Sequence, residues 1–346
     1  MPVRLSTLLL AHLAVGLGAC ASVQPPLPET GRAEAPAVSR APPATVAATE
    51  VVPVPTPDAP QQEVLEATRR SVRSGVEWLA RGVDGWFGDK PFREGGKVTD
   101  GRVSIGWFKR QDQSADFDVR FNAHFRLPNI EKNAYLFVGR DDPREVVRDK
   151  PDALSRVQVL RANRLSDRSF LAGLGLSLRD SLDFRLGLGP GFKPFAQVRY
   201  DHSWEAGLGH LIDFRETLFL TKDDRFGSTT ALSYEHVFSP TLVARWLNAA
   251  TITQVSRNFE WSSSLGAYHS LGRQRLLSLE MLFNGTGTQG TGVGLSDRGL
   301  VAKWEQPIYR NWLLCEIVGG HFWTRADAAS ERHRVWAFGG SLKMRF

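Results

Sequence analysis

Cysteine is nearly absent. Cys20 and Cys315 are the only two among 346 residues, too few for a disulfide framework. Long hydrophobic runs are also missing. With 42% hydrophobic residues and a mean hydropathy of -0.24, the chain cannot hold several membrane helices. A membrane β-barrel escapes that test, because about half of each strand faces water. No block of Lys or Arg accompanies the net charge of +6, so the footprint of a nucleic-acid binder is not there. What is abundant is Gly (32), Phe (20) and Trp (10), with the aromatic residues mostly beyond residue 100.

Residues 1–19 carry one charge, Arg4, and then an apolar stretch from Leu8 to Leu17. This is the pattern of a secretory signal peptide, too short to span a bilayer as a stop-transfer helix. The segment ends in Leu17-Gly18-Ala19-Cys20, which resembles the lipobox of bacterial lipoproteins. The resemblance implies lipid attachment at Cys20, and Ala21 in place of Asp implies transfer to the outer membrane. The alternative is an ordinary signal peptide cut near Ala21. Residues 20–61 are rich in Pro and Ala without a period, which reads as a semi-stiff disordered tether. Over 62–90, Val72, Val76, Leu79, Val83 and Trp86 recur at three- and four-residue steps, so they share a helical face. Arg69, Arg70, Arg73 and Arg81 lie mostly away from it. Such a helix suits a membrane surface, a cap or plug of a barrel, or a periplasmic partner.

From about Val98 the period changes from helical to two. Strands are expected at 101–110, 116–127, 132–140, 168–178, 181–190, 194–205, 208–221, 227–239, 241–254, 258–270, 273–285, 297–306, 311–324 and 333–346. Several reach the ten or so residues that a tilted strand needs to cross a bilayer. Soluble strands average nearer five or six. The last strand shows the alternation best. Trp336, Phe338, Gly340, Leu342, Met344 and Phe346 share one face, opposite Val335, Ala337, Gly339, Ser341, Lys343 and Arg345. Phe117, Val119, Phe121, Ala123 and Phe125 likewise oppose Asp118, Arg120, Asn122, His124 and Arg126. One position fits badly: Glu216 falls on the apolar face with Ile212, Phe214 and Leu218, which suggests a bulge, an interfacial depth or a wrong register.

Tight turns are expected at Arg179-Asp180, Ser239-Pro240, Leu271-Gly272-Arg273 and Gln306-Pro307-Ile308-Tyr309. Longer loops are expected at 141–167, 284–297 and 324–332. This alternation predicts an all-β, antiparallel transmembrane barrel over 98–346, with about 14 strands and 12 as the alternative. Together with the terminal Phe346, the Arg126-Leu127-Pro128-Asn129 turn and the Lys193-Pro194-Phe195 turn, the chain resembles outer-membrane barrel proteins of Gram-negative bacteria. The resemblance implies an outer-membrane location, a periplasmic N-terminal segment and Phe346 as the residue read by the barrel-assembly machinery. It implies no substrate. Membrane lipids would be further partners, with Trp107, Trp204, Trp246, Trp304, Trp323 and Trp336 marking the two interfaces.

The charged faces should line the lumen. Cations there are Arg120, Arg126, Arg185, Arg199, Arg215, Arg245, Lys303, Lys343 and Arg345; anions are Asp118, Asp183, Asp201, Asp213, Glu235, Glu260, Glu280, Glu305 and Glu316. Neighbours two apart on a strand, Asp118/Arg120, Asp183/Arg185, Asp213/Arg215 and Lys303/Glu305, are placed to pair. A balanced lumen points to cross-barrel ion pairs and a narrow, gated or plugged channel rather than a pore of one sign. The functional readings are a channel for small polar or amphipathic solutes, a structural or assembly protein that recruits a partner through 62–90, and a lipid-modifying enzyme. For the enzyme no convincing catalytic set is found. His202 and Ser203 are adjacent on a strand and point to opposite faces, and His269-Ser270 and His321 are no better placed. Asp141-Asp142 and Asp223-Asp224 lack the spacing of a Ca²⁺ site. The Gly-rich 285–294 segment does not link a strand to a helix, so it is no phosphate loop. No cofactor or metal is expected.

Labelled palmitate should enter the protein expressed in a Gram-negative host and be lost in Cys20→Ser. Incorporation that survives the substitution would return the segment to an ordinary signal peptide.

Overall fold

The computed structural model describes residues 59–84, 97–126, 133–151, 169–179, 181–256, 258–288, 292–325 and 331–346. The signal segment, Cys20 and the tether up to residue 58 lie outside them, as do residues 85–96. Of the two units Met1–Val52 and Pro53–Phe346, the second holds every element that follows.

One helix, α1 (Ala59–Asp84), precedes fourteen strands. They are β1 (Lys97–Arg110), β2 (Asp116–Arg126), β3 (Ala134–Asp141), β4 (Ser169–Arg179), β5 (Leu182–Leu188), β6 (Pro194–Glu205) and β7 (His210–Thr221). They continue as β8 (Arg225–Ser239), β9 (Leu242–Thr253), β10 (Asn258–Ser270), β11 (Leu276–Thr288), β12 (Gly292–Tyr309), β13 (Leu313–Thr324) and β14 (His333–Arg345). A four-residue helix, α2 (Pro143–Val146), follows β3. Each strand pairs antiparallel with the next, and β1 pairs with β14, so the sheet closes into a barrel of fourteen strands. Closure leaves no unpaired sheet edge.

The expected strands are found at nearly their expected bounds, and the twelve-strand alternative fails. Two connections differ. Gln306–Tyr309 is not a turn but the end of β12, where the register shifts between Pro307 and Tyr309. Pro has no N–H for the ladder, and a bulge accommodates it. The turn falls at Arg310–Trp312 instead. The 284–297 segment is also not a long loop: β11 runs to Thr288 and β12 starts at Gly292, with a register shift at Asn284/Gly285.

The abundant glycine has a packing role. A Cβ on Gly299 would overlap the ring of Phe322 from the neighbouring strand, and one on Gly227 would overlap Phe219. Both rings are 1% exposed, laid flat on strand positions that only glycine leaves open.

Parity in the ladders separates two walls. Outward residues are large, apolar and uncovered: Leu186 is 65% exposed, Ile317 59% and Leu279 57%, with Ile105, Leu232, Leu265, Leu300 and Phe338 repeating the pattern on other strands. A belt of this extent is foreign to a water-soluble surface. Trp107, Trp261, Trp323 and Trp336 face outward near the end remote from the barrel's chain termini. Trp204, Trp246 and Trp304 do so toward the termini end. Glu216 does face outward, in an unbroken register with β6 and β8. Its carboxylate is satisfied locally by the hydroxyls of Ser228 and Thr230. Neither a bulge nor a register error explains it.

Helix α1 lies outside the barrel wall at the termini end. Val76 is buried with Val98, Ala123, Phe125 and Leu136, flanked by Val72 and Phe346. Leu65 packs on Tyr309, Trp312 and Leu313. The partners Phe125, Leu136, Leu313 and Phe346 belong to outward-facing positions, so these contacts are not those of a lumen plug. Arg69, expected away from the packed face, donates from Nε to the Arg345 carbonyl at 3.3 Å and stacks 5.3 Å from the Trp312 ring centroid. Its alkyl stem lets a cation join an apolar contact. Leu79, Val83 and Trp86 lie outside the residues whose side chains are described.

Burying a valine contributes on the order of 1.5–3 kcal/mol. Val76→Asp should therefore release α1, seen as faster proteolysis within 59–84 of the folded protein, while β-sheet circular dichroism is unchanged. Unchanged protease resistance would show that α1 is held by other contacts.

Candidate functional site

The inner wall has two contrasting halves. On β8 to β14 it is partly apolar: Leu247, Ala249, Leu282, Val301, Val318 and Phe322 form one buried cluster with Phe108 packed against it. An interior that is uniformly wet is therefore not what the strands build. On β12 and β13 this was not legible in advance, because Leu300/Val301 and Ile317/Val318 are apolar on both faces and alternation has nothing to report.

On β2 to β7 the inner wall is charged, and residues 142–150, which follow β3, fold against it. Asp142 caps α2 by accepting from the Arg144 backbone N–H at 2.9 Å, a favourable N-cap residue. Pro143 occupies the first helical position. The segment after this turn is fixed by side chains. Val147, 4% exposed, packs into Phe137, Leu171 and Phe195. Gln197 donates to the carbonyls of Val146 and Val147 at 3.4 and 3.1 Å. Arg148 grips Asp224 through two bonds of 2.7 and 3.0 Å. Arg120 reaches Glu145 at 3.3 Å, Asp141 at 3.5 Å and Asp118 at 3.0 Å.

Asp149 is a further, buried anchor. Its Oδ1 accepts from Arg199 Nη2 at 2.5 Å and lies 3.6 Å from Arg215 Nη1; its Oδ2 accepts from Thr217 Oγ1 at 2.8 Å. The residue is 5% exposed and has φ of 54°, a left-handed backbone that Asp tolerates at some cost. A strained backbone held by a charge-assisted contact on each side is a sign of a positioned group.

The expected inward charges fall as follows. Asp118 pairs with Arg120, and Arg185 with Asp183 at 2.9 Å. Tyr135 joins the second pair, donating to Asp183 at 2.7 Å and accepting from Arg185 at 2.8 Å. The other two neighbour pairs do not form. Asp213 accepts from Ser203 at 2.5 Å while Arg215 turns to Asp149. Glu305 pairs with Lys343 rather than Lys303, and Lys343 also holds Glu316, both at 2.6 Å. Strand twist and cross-strand reach decide these partners, and sequence spacing does not carry them. Arg245 lies 3.9 Å from Glu235 and donates to Tyr268 at 2.5 Å. Glu280, Lys303 and Lys343 border a cavity of about 70 Å³ together with Asp118 and Arg120. Arg126, Asp201, Glu260 and Arg345 are exposed inward positions nearer the barrel ends.

The remaining candidates disperse. His202 faces outward, with its ring 4.6 Å from that of Trp204, while Ser203 points inward to Asp213. His321 stacks on Trp336 at 4.3 Å on the outer wall. Asp223 pairs with Lys193 at 2.9 Å and Asp224 with Arg148, so these acids hold loops together. Phe346 donates its backbone N–H to the Gly101 carbonyl at 3.0 Å and packs beside α1. Cys20 lies outside the described residues.

No family model matches the chain, and no curated protein does. Solved structures similar to it include a loop-deleted OmpT, an outer membrane protein of Vibrio cholerae, at 11% identity and TM-score 0.45, covering 72% of this chain and 99% of that one. Pseudomonas aeruginosa OccK11 is similar at 10% identity and TM-score 0.40, covering 73% and 96%. The KdgM porin in complex with disordered oligogalacturonate is similar at 6% identity and TM-score 0.34, covering 71% and 99%.

Arg120 faces three carboxylates, and removing one partner of an enclosed network costs more than the network contributes. Arg120→Gln should lower the thermal unfolding midpoint in detergent, and Glu145→Gln added to it should recover part of the loss. A double variant no more stable than Arg120→Gln would mean that Glu145 is not coupled to Arg120.

Proposed function

We propose that the protein is an outer-membrane channel for small polar or amphipathic solutes, with a lumen narrowed by the segment Asp142–Lys150. The observation that carries this reading is the combination of walls. The outside is an exposed apolar belt flanked by Trp residues, as a bilayer requires. The inside carries paired charges and a segment that side chains fasten to the wall, a form of closure that can be undone without breaking the sheet. Acylation at Cys20 would add a second attachment through the tether, and the assembly machinery would read Phe346. In this reading the termini end is periplasmic.

For the enzyme reading, His202 and Ser203 face opposite sides of the wall. The partner-recruiting reading of 62–90 would have to use a face other than Val72 and Val76, which the barrel's own wall covers.

Single-channel recording in planar bilayers tests the channel reading. The native protein should show small, rarely opening events. Val147→Ser combined with Arg148→Ala frees the segment from Phe195 and from Asp224, and should raise the mean conductance severalfold. Silence of both proteins, correctly folded and inserted, would reject a channel.

A further inference from the structure

We propose that Arg199, Arg215 and Thr217 form a carboxylate-binding site on the inner wall, that Asp149 occupies it as a built-in ligand, and that small carboxylate solutes compete for it. The site is complete without the inward segment. Arg199 and Thr217 come from neighbouring strands in direct register, Arg199 opposite Thr217, with Arg215 two residues along the same face of β7. Two guanidinium groups and a hydroxyl converge on one carboxylate, engaging both of its oxygens, which is the arrangement that recognises a carboxylate by shape as well as charge.

Two acids of the wall are otherwise engaged, and a third, Asp201, is exposed in register opposite Arg215. Asp183 is held by Arg185 and Tyr135, and Asp213 by Ser203. Asp149 is thus the carboxylate that serves Arg199 among the described residues, and it arrives from 50 residues away in sequence. Arg199 is 18% exposed and Arg215 42% exposed, so the site borders open lumen and a solute can approach it from the side of Arg215. The Asp149 backbone is in a left-handed conformation, so leaving the site relaxes the segment. A carboxylate that displaces Asp149 removes a buried anchor of Asp142–Lys150 and favours its release. Solute class and opening would then be set by the same contact.

The inference deepens the channel reading and rests on it for solute entry, yet its test needs no conduction. Asp149→Gly removes the built-in ligand at a position where φ is positive, so glycine fits without strain. The full chain in detergent is treated with a protease that cleaves within Asp142–Lys150. Acetate should slow cleavage of Asp149→Gly, because the glycine leaves room for it between the seated segment and the donors of the wall, where it is enclosed on both sides and held more tightly than when the segment is released. The slowing should be severalfold and level off at the ratio of its affinities for the seated and released forms. Acetamide, the neutral isostere, and chloride at equal ionic strength should do nothing, and Asp149→Gly with Arg199→Gln should not respond. In the native protein acetate should act in the opposite sense and speed cleavage by displacing Asp149. Equal effects of acetate and acetamide, or rescue that persists without Arg199, would overturn the site. Rescue of the variant with no effect on the native protein would overturn the competition. Silence in planar bilayers with acetate rescue intact would reject the channel and leave the site standing.

Discussion

The pairing of β1 with β14 is the constraint on which the rest of the structure depends. Nine residue pairs from Arg102/Arg345 to Arg110/Ala337 join the first strand to the last. Without that ladder, two strand edges would present unpaired N–H and C=O groups along an apolar outer wall, where no water can satisfy them. With it, every strand has two neighbours and the outer wall can be as apolar as Leu186, Leu279 and Ile317 make it. Closure also creates the interior, since a sheet of this size encloses a space that side chains must fill or water must occupy.

The interior is filled asymmetrically. The β8–β14 side packs Leu247, Leu282, Val301 and Phe322 inward beside the ion pairs of Lys343 with Glu305 and Glu316. The β2–β7 side is lined by Arg and Asp, and receives Val147 and Asp149 from the chain itself. In the proposed channel, control of passage would fall to the side that receives this segment. The short strands β3 and β5, eight and seven residues long, lie on that side.

The sequence showed the barrel clearly because strand parity is local. Each pair of neighbours such as Asp118/Val119 or Leu186/Arg185 states its own orientation. The positions of β6 and β10 were legible to the residue, and turn chemistry located most of the short connections. What was hidden depends on contacts between distant residues. Asp149 sits in a stretch that looks like any polar loop, and its partners Arg199 and Thr217 are 50 and 68 residues away. Asp213 and Arg215 have the spacing of a pair and form none, because Ser203 and Asp149 are better placed. Phe125 shares a parity with Phe117, yet one is 1% exposed under α1 and the other 78% exposed. Periodicity assigns a face and cannot say what covers it.

The path of α1 has a mechanical consequence. Its residues reach Leu313 and Phe346 on one side and Val98 and Phe125 on the other, so the helix works as a clasp across the seam where the sheet begins and ends. Prising the first strand from the last would also strip Leu65 and Val76 of their apolar cover. The seam and the clasp therefore yield as one unit, and the resistance to unzipping there exceeds what the strand ladder alone provides.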